Sequence, residues 1–368
     1  MDWEEAFRTV GDRMCVLSSM RTVRILKYWK YPNLMRQTPK GSGIWGNTRF
    51  VVDVPGEADY ICVSDHVASD MLVKCPRSNV WLVMPEPPDE VHQEKHKGAP
   101  LYGRVFHQDV NIVSAKHVLS HGALPWHVDK TYDELSSEVI PEKTNAVSWI
   151  TSNQLQTEGH RKRMRFLAEL KDEMQFDLFG KGFHPLRDKW EGLAPYKYSI
   201  AIENFENPWY WTEKIIDPLL AWCMPIYCGC KEIEKFLPTE ALFRFSMDDP
   251  AASRKIRQFL ESDPWSTRKE AISEARNRIL NEHQMFPFLA KLIEEYERAH
   301  GVNHSKKYIS LYDPTRGKGG IRTRLRRFLR ERVAPISAMF GRDPFSQYIN
   351  NTKINEMMVS PHSGLPSE

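Results

Sequence analysis

An α/β fold built from two doubly wound units is the fold class this sequence predicts. Three observations carry it. Short runs rich in β-branched and aromatic residues alternate with helix and turn signals from about residue 22 onward. The same alternation restarts at residue 146, after a stretch rich in Pro, His and charge at Leu124–Thr144 that reads as a crossover between units. The 368 residues suffice to bury two ordinary cores or one large one.

The predicted strands of the first unit are Thr22–Tyr28 (TVRILKY), Tyr60–Ser64 (YICVS), Asn79–Met84 (NVWLVM) and Val110–Ser114 (VNIVS). The second unit opens with Ala146–Thr151 (AVSWIT) and a basic helix from Gly159 (GHRKRMRFLAELKDEM). Strands at Phe176–Phe179 and Ser199–Ile202, a helix, and a strand at Met224–Tyr227 follow. Pro218, about two turns into that helix, is expected to kink it or delay its start. Pro225 suits an irregular or edge strand. Residues 267–299 read as a long helix interrupted near Pro287, and TRGKGG at 315–320 as a flexible linker. Ile321–Val333 (IRTRLRRFLRERV) then sets apolar residues 321, 325, 328, 329 and 333 on one helical face beneath six arginines. That face fits an anionic membrane surface or another acidic partner, and equally a solvated helix packed on the body. The expected division is 1–140, 141–300 and a tail at 301–368. Ligands of open α/β sheets bind beyond the carboxyl ends of the strands, so a cleft between the units is the default site.

Composition narrows the function. Hydrophobic content of 41% and charged content of 27% indicate a folded, soluble protein. With 51 basic against 48 acidic residues the net charge is only +3, so nucleic acid is not an expected partner and any basic preference is local. The six cysteines match no zinc spacing and are too few to staple a secreted fold, which points to a reducing, cytoplasmic compartment. The acidic N-terminus lacks the apolar core of a signal peptide, and no apolar run approaches the roughly 18–20 residues of a membrane span. Membrane contact, if any, is expected to be peripheral. His92 and His96, spaced i,i+4, lack an evident third ligand, so no metal site is expected.

Three constellations could carry chemistry. In YKYSIAIENFENPWYWTEK, strand SIAI ends in Glu203 and Asn204, an aromatic loop follows, and Thr212 is placed to cap a helix that begins with Glu213 and Lys214. A helix start after a strand is an anion site: Lys214 adds positive charge, Glu203 or Glu213 can accept sugar hydroxyls, and Tyr210 can donate or stack. The same pattern also describes a helix that is merely capped. Ser152 and Asn153 end strand AVSWIT ahead of Arg161, Lys162, Arg163 and Arg165. These cations oppose the helix dipole, which is unfavourable unless an anion binds nearby, and surface solubility is the alternative reason for them. In WLVMPEPPDE, prolines stiffen the chain around Glu86 at a sheet edge, a suitable position for a general base, with Asp89 and Glu90 as competitors.

The block from Tyr196 to Gly229 resembles the donor-binding motif of glycosyltransferase family 10, the α-1,3/1,4-fucosyltransferases. That motif has the form YK(F/Y)-x-(L/I)-A-(F/I)-EN, a loop, (Y/F)-x-TEK-(L/I), a helix and a VP-(V/I)-x-x-G strand. Glu203, Asn204, Tyr210, Thr212, Glu213, Lys214, Pro225 and Gly229 fall in register. SWITSN with Arg163-x-Arg165-Phe166 is similar to the family's SN…R-x-x-(F/Y) segment, and WLVMPEPP to its strand ending in Glu-Ser-Pro. Phe205 departs from the family's frequent Ser, and Glu-Pro-Pro from Glu-Ser-Pro.

The resemblance implies a GT-B fold of two Rossmann-like domains facing a cleft. It implies an inverting, metal-independent transfer of L-fucose from GDP-fucose to O3 or O4 of a GlcNAc-type sugar on an acceptor glycan. Glu86 would be the base, and Arg163 and Lys214 would stabilise the diphosphate. Ser152, Asn153, Glu203, Asn204, Tyr210, Thr212 and Glu213 would complete the donor site. It implies no cofactor, and some bacterial members carry a basic amphipathic tail similar to Ile321–Val333, which would sit at the inner face of the membrane. Another nucleotide sugar, or a catalytically silent nucleotide- or glycan-binding protein of the same fold, are the alternatives.

Overall fold

The computed structural model describes residues 19–31, 33–54, 56–67, 69–89 and 101–312. Glu90, the His92 and His96 pair and the basic Ile321–Val333 stretch lie outside them. Among the described residues, no helix is long and apolar enough to cross a membrane.

The first half supplies β1 (Arg21–Lys27), β2 (Ile44–Trp45), β3 (Thr48–Val52), β4 (Tyr60–Ser64), β5 (Met71–Cys75), β6 (Val80–Val83), β7 (Arg104–His107) and β8 (His117–Leu119). Seven of these form one sheet in the order β2-β3-β1-β4-β6-β7-β8, parallel except for the β2–β3 pair. The second half supplies β9 (Asn145–Ile150), β10 (Asp177–Phe179), β11 (Tyr196–Ile202), β12 (Met224–Cys228) and β13 (Phe243–Arg244). They form a wholly parallel sheet in the order β10-β9-β11-β12-β13. Two doubly wound sheets are therefore present, the α/β class expected.

Period-two alternation explains how the first sheet is covered. Val23, Ile25, Tyr60, Cys62, Trp81 and Phe106 point to one face, where Met285, Phe286, Leu289 and Ile293 of the helix Met285–His300 cover them. Leu26, Ile61, Val63, Leu82 and Val105 point to the other, covered by Val73 and Cys75 of β5 and by Ile309 and Leu311 of β14 (Lys307–Leu311), which pairs antiparallel with β5. The chain from 285 to 311 thus packs on the first sheet, although most of it lies within the stretch 141–300 expected to form the second unit. Conversely, Trp126, Val128 and Leu135 of the crossover pack into the second core. Each half lends a segment to the other, because the apolar faces left by each sheet exceed what its own helices cover.

Other elements differ locally. Val110–Ser114 is not a strand; the sheet is continued by β7 and β8 on either side of it. Asp109 accepts a hydrogen bond from the Asn111 amide at 2.9 Å, which turns the chain there and leaves Val110 and Val113 exposed. The long helix resolves into Lys269–Arg278, a π-helical turn Ile279–His283 and Met285–His300. The break falls at Gln284, whose side chain caps Phe286, so Pro287 sits in a first turn where its missing N–H costs nothing. Pro218 neither delays the helix Glu213–Leu220 nor stops it at once; the helix ends two residues later. Pro225 lies in β12, an interior strand, but β13 pairs only with Ile226 and Tyr227, leaving no neighbour beside the proline on that side.

Phe286 is fully buried and meets Phe50 edge-on at 5.0 Å between ring centroids. Phe286→Ala is expected to cost about 3–5 kcal/mol, the usual loss for a buried Phe. Urea denaturation reads it, and a loss under about 1 kcal/mol would mean that the helix does not clasp the first sheet.

Candidate functional site

In the second sheet the connection from β9 leaves towards β10 and the connection from β11 leaves towards β12, on opposite sides. The carboxyl ends of β9 and β11 therefore flank a topological switch point, where open parallel sheets leave a crevice. A cleft of about 660 Å³ occupies that place. Its wall includes Thr151 and Ser152 after β9, residues 180–183 and 185–189 after β10, Ser199–Ile202 of β11, and Asn204, Glu213 and Lys214 beyond it.

Arg163 is the centre of this cleft. It projects from the helix Glu158–Glu173 and is only 3% exposed. One guanidinium nitrogen donates to the Asn204 side-chain oxygen and another to the Ser152 carbonyl at 3.5 Å. Its Nε is buried without a hydrogen-bond partner, and among the described residues no carboxylate lies within ion-pair distance of it. Burial lowers the guanidinium pKa, against the opposing pull of Glu203 and Tyr210. A buried cation held only by neutral groups is costly and favours an incoming anion. The three cations clustered around it on that helix have ordinary partners. Glu158 takes both Arg161 and Arg165 at 2.9 Å, and Lys162 reaches Asp248 at 2.7 Å.

Glycines allow the close approach. A Cβ on Gly159 would lie 1.8 Å from the Asn204 carbonyl oxygen, so the helix start is wedged against the β11 loop. Gly180, at φ +112°, passes equally close to the Thr151 carbonyl. Asn153 is exposed and packs its side-chain amide against Gly182 of the wall, without lining the cleft itself.

The loop after β11 is closed by Glu203. Its two oxygens accept the Thr212 amide at 2.8 Å and the Thr212 hydroxyl at 2.7 Å. Thr212 in turn caps the helix Glu213–Leu220. Glu203, Thr212 and Tyr210 thus stand behind the wall as its frame, while Glu213 and Lys214 face the cleft. Lys214 Nζ lies 3.4 Å from Glu203 and 3.5 Å from Glu213. Burial pushes the Glu203 carboxyl up, opposed by Lys214. Burial pushes Glu213 the same way, but Lys214, Lys189 and His127 outweigh it and hold this carboxyl well below the usual range.

Lys189 and Asp217 were not singled out from the sequence. Lys189, from the β10–β11 segment, reaches Asp217 at 2.7 Å and Glu213 at 3.7 Å. Asp217 also accepts the His127 amide from the crossover at 2.8 Å. An aspartate inside the apolar run IIDPLL was the available signal, since a buried acid requires a partner. Lys189 itself sits in a polar loop and carried no signal.

Glu86 is not on the cleft wall. It is half-buried beyond the carboxyl end of β6, in the first half. Its charge is felt in the loop after β11: burial, then Glu203, then Glu86 push the Tyr210 phenol well above its ordinary value. Phe205 packs edge-on against the same Tyr210 at 6.2 Å. Among the described residues, no group of three or more His, Cys, Asp or Glu is placed to hold a metal ion.

Residues 140–262 match the family described as Glycosyltransferase family 10 (fucosyltransferase) C-term. The chain is 30% identical over 142 residues to the 4-galactosyl-N-acetylglucosaminide 3-alpha-L-fucosyltransferase FUT6 of Pongo pygmaeus, covering 37% of each chain. It is 27% identical over 189 residues to the 3-galactosyl-N-acetylglucosaminide 4-alpha-L-fucosyltransferase FUT3 of Homo sapiens, covering 50% of this chain and 48% of that one. The chain thus spans about half the length, or less, of the curated relatives it matches. A crystal structure of an alpha1,3-fucosyltransferase with GDP-fucose aligns over 79% of this chain and 94% of its own, with TM-score 0.45 and 14% identity.

The Gly159 contact gives a prediction with a decided sign. Helix propensity alone would make Gly159→Ala stabilising by up to about 1 kcal/mol. The collision with the Asn204 backbone should dominate and cost about 1–3 kcal/mol, as overpacking does. A fall in Tm supports the wedge; a rise contradicts it.

Proposed function

We propose that this chain is a member of glycosyltransferase family 10, whose model matches residues 140–262, and that it transfers L-fucose from GDP-fucose to a hydroxyl of an acceptor glycan, with inversion and without a metal. The observation that carries the reading is the buried Arg163, held by neutral partners in a cleft at the switch point of a parallel sheet. A nucleoside diphosphate supplies the missing counter-charge. Lys214 and Lys189 flank the same space, and the helix Glu213–Leu220 begins at its edge.

In the proposed reaction, the Glu86 carboxylate takes the proton of the acceptor hydroxyl as that oxygen attacks C1 of the sugar. The bond from C1 to the phosphate oxygen breaks, and its electron pair leaves with GDP. Attack opposite the leaving group inverts the anomeric centre, as water does in inverting glycosidases. Negative charge grows on the diphosphate, where Arg163, Lys214 and Lys189 oppose it; these three cations make a metal unnecessary. Glu213, kept ionised by its lysines, would balance the positive charge that develops on the sugar ring. The acceptor is proposed to be a GlcNAc-type sugar at O3 or O4, since the relatives named above include one enzyme of each linkage.

Transfer from GDP-fucose in excess EDTA tests the proposal. Full activity is expected, while Glu86→Gln should lower kcat about 10²–10⁴-fold, the usual contribution of a general base. Restoration by Mn²⁺ of activity lost to EDTA would overturn metal independence. Transfer from GDP-mannose or a UDP-sugar alone would replace the donor, and no transfer from any of them would make the protein a silent binder.

A further inference from the structure

The loop that carries Glu86 and the loop that carries Tyr210 belong to different sheets. Two buried side-chain amides join them. The Asn207 oxygen accepts the Tyr210 amide at 2.6 Å and the Trp209 amide at 2.8 Å, which fixes the turn of the β11 loop. The Asn207 amide nitrogen donates to the Gln108 carbonyl at 2.9 Å, just beyond β7 of the first sheet. The Gln108 side chain then donates to the Met84 carbonyl at 2.6 Å, two residues before Glu86. Asn207 is 9% exposed and Gln108 1%. The Asn207 carbonyl is also used, by the Lys231 amide at 2.9 Å. On the other side of the Glu86 loop, Pro85 rests so closely on Gly122 that a Cβ there would lie 2.9 Å from its Cα.

We propose that Asn207 and Gln108 form a polar strut that sets the reach of Glu86 to the reacting sugar. Both are positioning residues, and the inference rests on the reading of Glu86 as the proton acceptor. Apolar contacts alone would tolerate sliding of one half over the other. Hydrogen bonds are directional, and buried amides lose heavily when their partners move away. The strut therefore fixes a distance that the two cores leave adjustable. A displacement of about 1 Å between base and reacting group can cost on the order of 10²-fold in rate.

Asn207→Asp isolates the link. It keeps an oxygen for the Trp209 and Tyr210 amides but can no longer donate to Gln108. The expected result is a fall of about 10–100-fold in kcat for fucosyl transfer, with GDP affinity by calorimetry unchanged. Gln108→Leu, which cuts only the second bond, should act in the same direction. In a Glu86→Gln background Asn207→Asp should cost nothing further, because residues acting through one another are not additive. An unchanged kcat, an equal loss in both backgrounds, or a parallel loss of GDP affinity would each overturn the strut. If Glu86→Gln itself retains full activity, the reading of the base fails and the strut fails with it; a wild-type protein with normal transfer and an indifferent Asn207→Asp removes the strut alone.

Discussion

A guanidinium buried without a counter-charge is the constraint on which the cleft depends. Arg163 could have been neutralised by a carboxylate, as Arg161, Lys162 and Arg165 are on the same helix. Instead Asn204 and the Ser152 carbonyl hold it, and its Nε is left over. Each neighbouring feature serves this arrangement. Gly159 lets the helix come down on the β11 loop, Gly180 lets the β10 loop pass Thr151, and Glu203 ties the β11 loop to the next helix through Thr212. The folded state carries the desolvation cost of one cation, and in the function proposed above a diphosphate removes it.

The lysines behave differently. Lys214 and Lys189 are surrounded by Glu203, Glu213 and Asp217, so their charges are largely balanced within the protein. That balance keeps the site from being a general anion trap and leaves Arg163 to carry most of the uncompensated attraction. Asp217 adds a mechanical role, since it also receives the His127 amide and so fastens the crossover to the floor of the cleft. The exchanged segments, residues 124–135 into the second core and 285–311 onto the first sheet, hold the halves together from both directions.

Much of this was legible in the sequence. The alternation of short strands and helices gave both parallel sheets, because strands buried on both faces leave near-continuous apolar runs such as YICVS. The block from Tyr196 to Gly229 was readable as strand, loop, capped helix and strand, because its cap and its turn residues act locally. The β5–β14 pair and the exchange of segments were not readable, since they depend on which apolar face remains uncovered once the sheets exist, whereas the hairpin β2–β3 is marked locally by its Gly46-Asn47 turn. Val110–Ser114 has strand composition, but a local Asp109 turn defeats it. Among four clustered cations, composition could not single out Arg163; the helix period places it inward only once the packing face is known. Lys189 was invisible because its partner Asp217 is far away in sequence. Glu203 and Thr212 were seen as ligand contacts, whereas their own mutual bonds make them the frame behind the wall.

The central claim is that this cleft grips a diphosphate through Arg163. Calorimetric titration of the protein with GDP, GMP and guanosine tests it most directly. Each charge-assisted hydrogen bond lost with the β-phosphate is worth about 1.5–3 kcal/mol, so GDP should bind at least about 10-fold more tightly than GMP, and guanosine more weakly still. GMP binding as tightly as GDP would contradict the claim.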